Sequence, residues 1–240
     1  MSSDQAGGLS AAVGIYEALR RRPDPAGTAS ALHLGRFDHS ARWTPDLLPL
    51  RAYEAVDPAS LGLAGYDDFH AIPATSLDAA IERIIHVEGP VHFEVLADRL
   101  LAAAGAGRLG SRIRARIEER LAVWASGQQG GSAQTPWAAL PEQSRRPAYR
   151  DWRDAPESTR QLDYVSDAEL MLAIYRAVLD RECGDRETAM NEGIHAIGFT
   201  RLTAGARTRL HAPLQALLDA GMLVESDGVI AVGLLEPRQG

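Results

Sequence analysis

The feature that most constrains the fold is a pattern of three short amphipathic segments followed by a hairpin signal, which occurs twice along the chain. In the later copy, apolar residues recur at helical spacing within residues 167–181, 186–197 and 204–220. Residues 222–232 then place apolar side chains on both sides of Asp227-Gly228, a dipeptide typical of tight hairpin turns. The pattern predicts three helices followed by a two-stranded β-hairpin.

The earlier copy begins at Ser76, whose side chain is suited to a helix N-cap. Apolar residues at helical spacing follow it until Glu88-Gly89-Pro90, which is expected to end the first helix. The same reasoning predicts a short strand at 91–93 and further helices at 94–104 and 111–124. The third helix has one apolar stripe, formed by Ile113, Ile117, Leu121 and Trp124.

Three short helices followed by a two-stranded wing are typical of the winged-helix variant of the helix-turn-helix. We therefore expect a mainly α fold with small β wings (α+β), built as two tandem winged-helix-type domains behind an irregular N-terminal arm. The predicted boundaries are 1–76 for an N-terminal helix and the arm, 77–140 for the first domain, 141–165 for an Arg-rich and aromatic linker, and 166–240 for the second domain.

The N-terminal arm is rich in Pro, Gly and aromatic residues after a helix predicted at 9–22. Its aromatic side chains are too apolar for a free linker, so we expect them to pack on the body of the protein or on a partner. These residues are Trp43, Tyr53, Tyr66 and Phe69.

Composition limits the kinds of partner. All 25 basic residues are Arg, and the formal net charge is −7, which argues against a surface covered with phosphate-binding groups. Residues 161–240 carry 7 Arg against 12 acids, whereas residues 78–140 carry 7 of each, so nucleic-acid contacts are expected in the middle of the chain. No apolar run suits a membrane span, no secretory signal is visible, and the single Cys183 fits a reducing compartment. We expect a cytoplasmic protein.

The third helix of the first domain carries the strongest candidate site. Arg112, Arg116 and Arg120 recur every four residues as a cationic ridge, and Arg108 and Arg114 extend it. In helix-turn-helix proteins this helix enters the major groove, where Arg can bind both base edges and phosphates. The alternative is a solvated helix face on which nearby Glu residues balance the charge, and the sequence leaves both interpretations open.

A second basic stretch surrounds residue 150. Arginines are interleaved there with Tyr149 and Trp152, a mixture that can follow a nucleic-acid backbone and stack on bases. These arginines are Arg145, Arg146, Arg150, Arg153 and Arg160. A linker pinned by its aromatic residues is the simpler interpretation, and we favour it. The complete predicted DNA-binding set is Arg108, Arg112, Arg114, Arg116, Arg120, Arg145, Arg146 and Arg150.

Motifs for catalysis and cofactors are weak. Residues 105–110 match G-x-G-x-x-G, but a helix precedes them where a dinucleotide site needs a strand, so we interpret the glycines as a turn between helices. The seven His are scattered, and His86 and His92 flank the turn at residues 88–90, where a structural role is favoured over a metal site. We predict no metal, no cofactor and no enzymatic activity.

Three strings resemble an uncharacterised bacterial domain family: residues 84–92, 97–100 and 108–113. The later strings 197–202 and 218–223 are similar to it as well, so the resemblance covers about residues 50–235. This domain of unknown function typically ends large proteins that carry a superfamily 1 helicase-like module and a Vsr-like endonuclease fold. The resemblance implies association with DNA-processing enzymes, although this chain has no helicase or nuclease sequence of its own.

The sequence thus supports two functional hypotheses. The first is a non-catalytic tandem winged-helix module that binds DNA, duplex DNA in particular, in a DNA-processing or defence system. The second is a protein-interaction adaptor that docks a helicase- or nuclease-type partner or associates with itself as a homo-oligomer. Binding that weakens steeply with salt would favour the first hypothesis, because phosphate contacts release counterions.

Overall fold

The computed structural model describes residues 49–127, 132–134, 136–140, 143, 148–181 and 184–233. The helix predicted at 9–22, the arm residue Trp43, and the candidate site residues Arg145 and Arg146 lie outside these residues. The described part contains six α-helices and several short strands, which confirms a mainly α fold with small β elements. None of its helices is both long and apolar enough to cross a membrane.

In chain order the helices are α1 (Ala74–Glu88), α2 (Phe93–Ala104), α3 (Ser111–Gly127), α4 (Asp167–Arg181), α5 (Arg186–Ala196) and α6 (Ala204–Asp219). The strands are β1 (Arg51–Ala52), β2 (Val91–His92), β3 (Ser132–Gln134), β4 (Trp137–Ala139), β5 (Arg150–Asp151), β6 (Leu223–Ser226) and β7 (Val229–Val232).

The chain divides into two compact units that alternate along the sequence. Unit A comprises residues 53–148 and 155–166, and unit B comprises the described residues before 53 together with 149–154 and those from 167 onward. This division differs from the predicted boundaries, because part of the expected arm belongs to unit A and part of the expected linker belongs to unit B. Both segments lack the helical periodicity from which domain limits are read in a sequence.

Unit A has the element order α1, β2, α2, α3, β3, β4. Its antiparallel sheet has the strand order β2-β4-β3, with Val91 opposite Ala138. Helix α1 begins at Ala74 after Pro73, so the prediction of Ser76 as the N-cap is wrong, since the fixed φ of Pro starts the helix earlier. The helix ends at Glu88, as predicted, where the Gly89 amide donates to the Ile85 carbonyl at 2.9 Å.

Residues 53–72 complete the core of unit A. Two 3-10 turns at Pro58–Leu61 and Phe69–Ala71 are capped by the side chains of Asp57 and Asp68. Tyr53 and Phe69 are buried, which confirms that these aromatic side chains pack on the body. The other buried apolar residues of this segment are Val56, Leu61, Leu63 and Ile72.

Unit B has α4, α5 and α6 followed by the antiparallel hairpin β6-β7. The hairpin turns at Asp227 and Gly228, whose φ values of 52° and 78° are those of a type I′ turn, and this confirms the sequence prediction. The Ile230 amide donates to the Gly184 carbonyl at 2.7 Å, so the second strand of the hairpin bonds the segment between the first two helices. In unit A, strand β2 makes the equivalent contact with β4.

Candidate nucleic-acid interface

A glycine turn presents the arginine-rich helix α3. Helix α2 ends at Gly105, which has a left-handed φ of 67°, and the Ala106 amide donates to the Leu101 carbonyl at 2.9 Å. This is the hydrogen bonding of a helix C-terminus closed by glycine. The G-x-G-x-x-G string therefore lies between two helices, as the sequence interpretation holds.

Helix α3 has one buried face and one solvent face. Ile117, Leu121 and Trp124 are buried, and Ile113 packs against the same core while partly exposed. The exposed residues of the first four turns are Ser111, Arg112, Ala115, Glu118, Glu119, Ala122 and Val123. The exposed arginine of this face is therefore at its N-terminal end, and exposed glutamates follow nearly two turns later.

Arg108 and Arg112 are the available cations of the predicted ridge. Arg108 lies in the turn before α3, and Arg112 is the second residue of the helix. Both residues are exposed, and neither guanidinium group has a hydrogen-bonding or ion-pair partner among the residues that the structure describes. Two guanidinium groups four residues apart are thus open to an anionic ligand.

Arg114 has an intermediate position. Its Nη2 atom lies 2.7 Å from Glu94 Oε1, and its guanidinium stands 4.8 Å from the centre of the Phe93 ring. The side chains of Arg114 and Glu94 are 40% and 36% exposed, so water screens the pair and its strength is low. The pair therefore contributes little to the stability of unit A.

Arg116 and Arg120 hold α3 in place. Arg116 donates to two backbone carbonyls, Phe69 O at 3.1 Å and Ile72 O. Arg120 binds Asp78 of α1 through two nitrogens, with Nε 2.7 Å from Oδ1, and this hydrogen bond raises the pKa of Arg120 above its usual value. Both guanidinium groups already have intramolecular acceptors, so the ridge seen in the sequence is divided between anchoring and solvent-facing residues.

Arg150 serves the interior of unit B. Its Nη2 lies 2.7 Å from Glu169 Oε2, and the two side chains are 9% and 0% exposed. The Trp152 indole donates to the same carboxylate at 3.2 Å, and the Arg150 guanidinium lies 4.9 Å from that ring. Arg150, a member of the predicted DNA-binding set, is therefore buried and ion-paired within unit B. The other two predicted cations of this stretch, Arg145 and Arg146, lie outside the described residues.

Sequence reasoning missed a buried carboxylate in unit A. Glu88 is 1% exposed and accepts from the Tyr53 hydroxyl at 2.7 Å, the Val56 amide at 3.0 Å and the Arg99 Nε at 2.8 Å. Arg99 also donates to the Thr159 hydroxyl at 2.9 Å. The position of Glu88 at the C-terminus of α1 could have indicated this, because an acid there opposes the helix dipole and needs a compensating partner.

The predicted structural role of His92 is also visible. Its Nδ1 accepts from the Glu94 amide at 3.2 Å and so caps α2. The imidazole stacks on Tyr164 at 4.6 Å and meets the Trp137 ring edge-on at 5.3 Å. His86 lies exposed on α1. Within the described ranges, no group of three His, Cys, Asp or Glu side chains is arranged to hold a metal ion.

A family model described as "Protein of unknown function (DUF3320)" matches residues 67–115. The matched stretch runs from the second 3-10 turn through α1, β2 and α2 into the start of α3, and it includes Arg108, Arg112 and Arg114. No curated protein and no solved structure matches the chain significantly.

Proposed function

We propose that unit A is a winged-helix unit that binds duplex DNA without catalysing a reaction, as part of a cytoplasmic DNA-processing or defence system. The order of its three helices and three strands, with β2 beside β4 and β3 at the edge, supports this assignment. Unit B repeats the order of three helices and a terminal hairpin, which supports a tandem arrangement of two such units.

The observation that carries the proposal is the solvent-facing pair Arg108 and Arg112 at the start of the third helix. In helix-turn-helix proteins the N-terminal residues of this helix reach base edges and phosphates. Ser111 and Ala115 lie beside the pair and are small enough to allow close approach of a nucleic-acid backbone. Among the described residues, no acceptor occupies either of these two guanidinium groups. The guanidinium groups of the other ridge arginines already have acceptors, as Arg120 does in Asp78.

Charge limits the extent of the interface. Glu118 and Glu119 are exposed on the same helix and would repel phosphates beyond its second turn. Contact is therefore expected from Arg108, Arg112 and, after exchange of its carboxylate partner, Arg114. Each phosphate contact contributes about 0.9 to the slope of log K against log salt, so the slope expected from unit A is about −2 to −3.

The matched family gives the proposal its context. Its description names no activity, but the resemblance seen in the sequence implies a domain that accompanies helicase-like and endonuclease-like modules. Beside such modules, a binding unit would deliver DNA to a DNA-processing enzyme or retain it there. Its affinity would be moderate, because few phosphates are contacted.

Fluorescence anisotropy with random duplex and single-stranded DNA at several salt concentrations tests the proposal. The double variant Arg108→Ala/Arg112→Ala should lose about 1.8 from the salt slope. The matched control Arg51→Ala/Arg176→Ala removes two charges from unit B and should retain the contribution of about 1.8 that Arg108 and Arg112 make to the salt slope. Absence of DNA binding at low salt, or equal slopes for wild type and the unit A variant, would reject the proposal.

A protein-interaction adaptor is the second candidate, and the hairpin of unit B favours it. Val224 and Val229 are 45% and 51% exposed, and Ala231 lies directly opposite Val224 on the same face of the hairpin. These apolar side chains belong to a unit in which acids outnumber arginines. Binding to a protein partner, or self-association that is insensitive to salt and lost in Val224→Ser/Val229→Ser, would support this alternative.

A further inference from the structure

Unit B contains an open concavity of about 550 Å³ between α5 and the segment that precedes α6. Asn191 and His195 of α5 line one side, and Arg201 and Arg207 line the other. The site lies outside the arginine-rich helix of unit A, and its residues are not among those assigned to DNA binding from the sequence.

The lining carries a surplus of positive charge. Arg201 and Arg207 outnumber the one carboxylate of the lining, Glu187, which lies 2.5 Å from Arg207. Arg201 is exposed, and its guanidinium group has no partner among the described residues. The side-chain amide of Asn191 is partly buried and likewise has no partner among them. A cationic group and a neutral donor therefore face one concavity in a unit whose overall charge is acidic.

A hydrogen-bonded turn holds Arg201 in position. The Phe199 amide donates to the Ile194 carbonyl at 2.9 Å, and the His195 Nε2 donates to the Thr200 carbonyl at 3.1 Å. Thr203 then caps α6 by accepting from the Ala206 amide at 3.2 Å.

The two units present an arginine at equivalent positions. Arg108 lies three residues before the first residue of α3, and Arg201 lies three residues before the first residue of α6. A partly buried leucine follows each arginine, Leu109 in unit A and Leu202 in unit B. Each unit thus exposes one guanidinium from the turn that leads into its third helix.

We propose that the concavity of unit B is a second anion-binding site, in which Arg201 and Asn191 bind a phosphodiester of the DNA backbone. The choice of ligand rests on the proposed function of unit A. The guanidinium fork matches two phosphate oxygens, and a neutral amide donor suits the single charge of a diester. The open form of the concavity lets a polymer chain pass through, which a single enclosed anion would not require.

The test compares full-length wild type, Arg201→Ala, Arg201→Lys and the control Arg176→Ala, with random duplex DNA across a salt series. Arg201→Ala should reduce the salt slope by about 1, whereas Arg201→Lys keeps the charge and should keep the slope. Arg176→Ala removes one charge from the same unit outside the concavity and should behave as wild type. Unchanged thermal unfolding of each variant shows that the fold is intact.

The outcomes separate the two proposals. A wild-type slope in Arg201→Ala, together with a reduced slope in Arg108→Ala/Arg112→Ala, overturns the second site and leaves the function of unit A standing. The reverse result supports the second site and rejects the proposed interface of unit A. An equal loss in Arg201→Ala and Arg176→Ala overturns the site, since it shows a general charge effect. Absence of DNA binding by wild type overturns both.

Discussion

Replacement of Glu88 by Gln tests the buried carboxylate that organises unit A. The carboxylate accepts hydrogen bonds from Tyr53 Oη and Arg99 Nη2 at one oxygen, and from the Val56 amide and Arg99 Nε at the other. Glutamine has the same shape, but its amide nitrogen must replace one of these oxygens and face donors in either orientation. The substitution also leaves the buried Arg99 without its counter-charge.

The expected loss of stability is large. Removing one member of a buried ion pair costs about 3–5 kcal/mol, because the remaining charge stays desolvated and unpaired. Both residues are buried: the side chain of Arg99 is 8% exposed and that of Glu88 is 0% exposed. A small domain has a total stability of about 5–15 kcal/mol, so the variant should open unit A under conditions in which wild type is folded.

Native-state hydrogen exchange of the full-length protein measures this loss within unit A, because it reports the amides of α1 and α2 separately from those of unit B. The control Glu82→Gln changes an exposed glutamate on the same helix and should leave exchange unaltered. The double variant Glu88→Gln/Arg99→Met removes the unpaired charge and should regain part of the stability. A decrease below about 1 kcal/mol for Glu88→Gln would refute the reasoning.

Three further predictions follow from local contacts. Arg116→Met should lower the stability of unit A by about 2–3 kcal/mol in urea unfolding without changing the salt slope of DNA binding, because it removes charged hydrogen bonds to backbone carbonyls. Gly193→Ala should destabilise unit B by about 1–3 kcal/mol in a thermal scan, since the added Cβ would lie 3.0 Å from a Cα atom of α4. The control Gly205→Ala, at the exposed start of α6, should stabilise unit B or leave its stability unchanged in the same scan. Asp151→Asn should make the stability of unit B less sensitive to acid. The hydrogen bond from Arg153 holds the pKa of Asp151 in the folded protein below its usual 3.8. The ionised Asp151 side chain therefore stabilises the fold above pH 3.8, and this stabilisation is lost as the pH falls through the pKa of the folded state. If the stability of Asp151→Asn fell with decreasing pH as steeply as that of wild type, this prediction would be wrong.

The elements that the sequence predicts well depend on short-range signals. Helix α4 has the predicted limits, and the hairpin turns at the predicted Asp227-Gly228, because apolar spacing and turn chemistry act over a few residues. Residues 53–72 join the core of unit A through 3-10 turns, which have no helical period to recognise. Their packing depends on contacts with α1 and α2, such as Tyr53 with Glu88, that lie 35 residues apart in the chain.

The candidate site shows a related limit. A spacing of four residues advances about 400° around a helix, so each step of the ridge turns about 40° further from the first residue. From Arg112 to Arg120 the ridge turns by about 80°, which takes it from solvent to the side of α1. The spacing can be read from the sequence. Which of these arginines meets an acceptor depends on where neighbours such as Asp78 lie, and their position depends on the tertiary fold.

The guanidinium group itself explains why sequence could not separate binding from anchoring arginines. The planar fork that suits a phosphate also suits a carboxylate or a pair of backbone carbonyls, so one residue type serves the interior and the surface. The difference lies in whether an acceptor is within reach: Arg116 and Arg120 have one, and Arg108 and Arg201 have none among the described residues. It follows that the number of unpaired arginines, and not the total number, should set the salt dependence of any DNA binding by this chain.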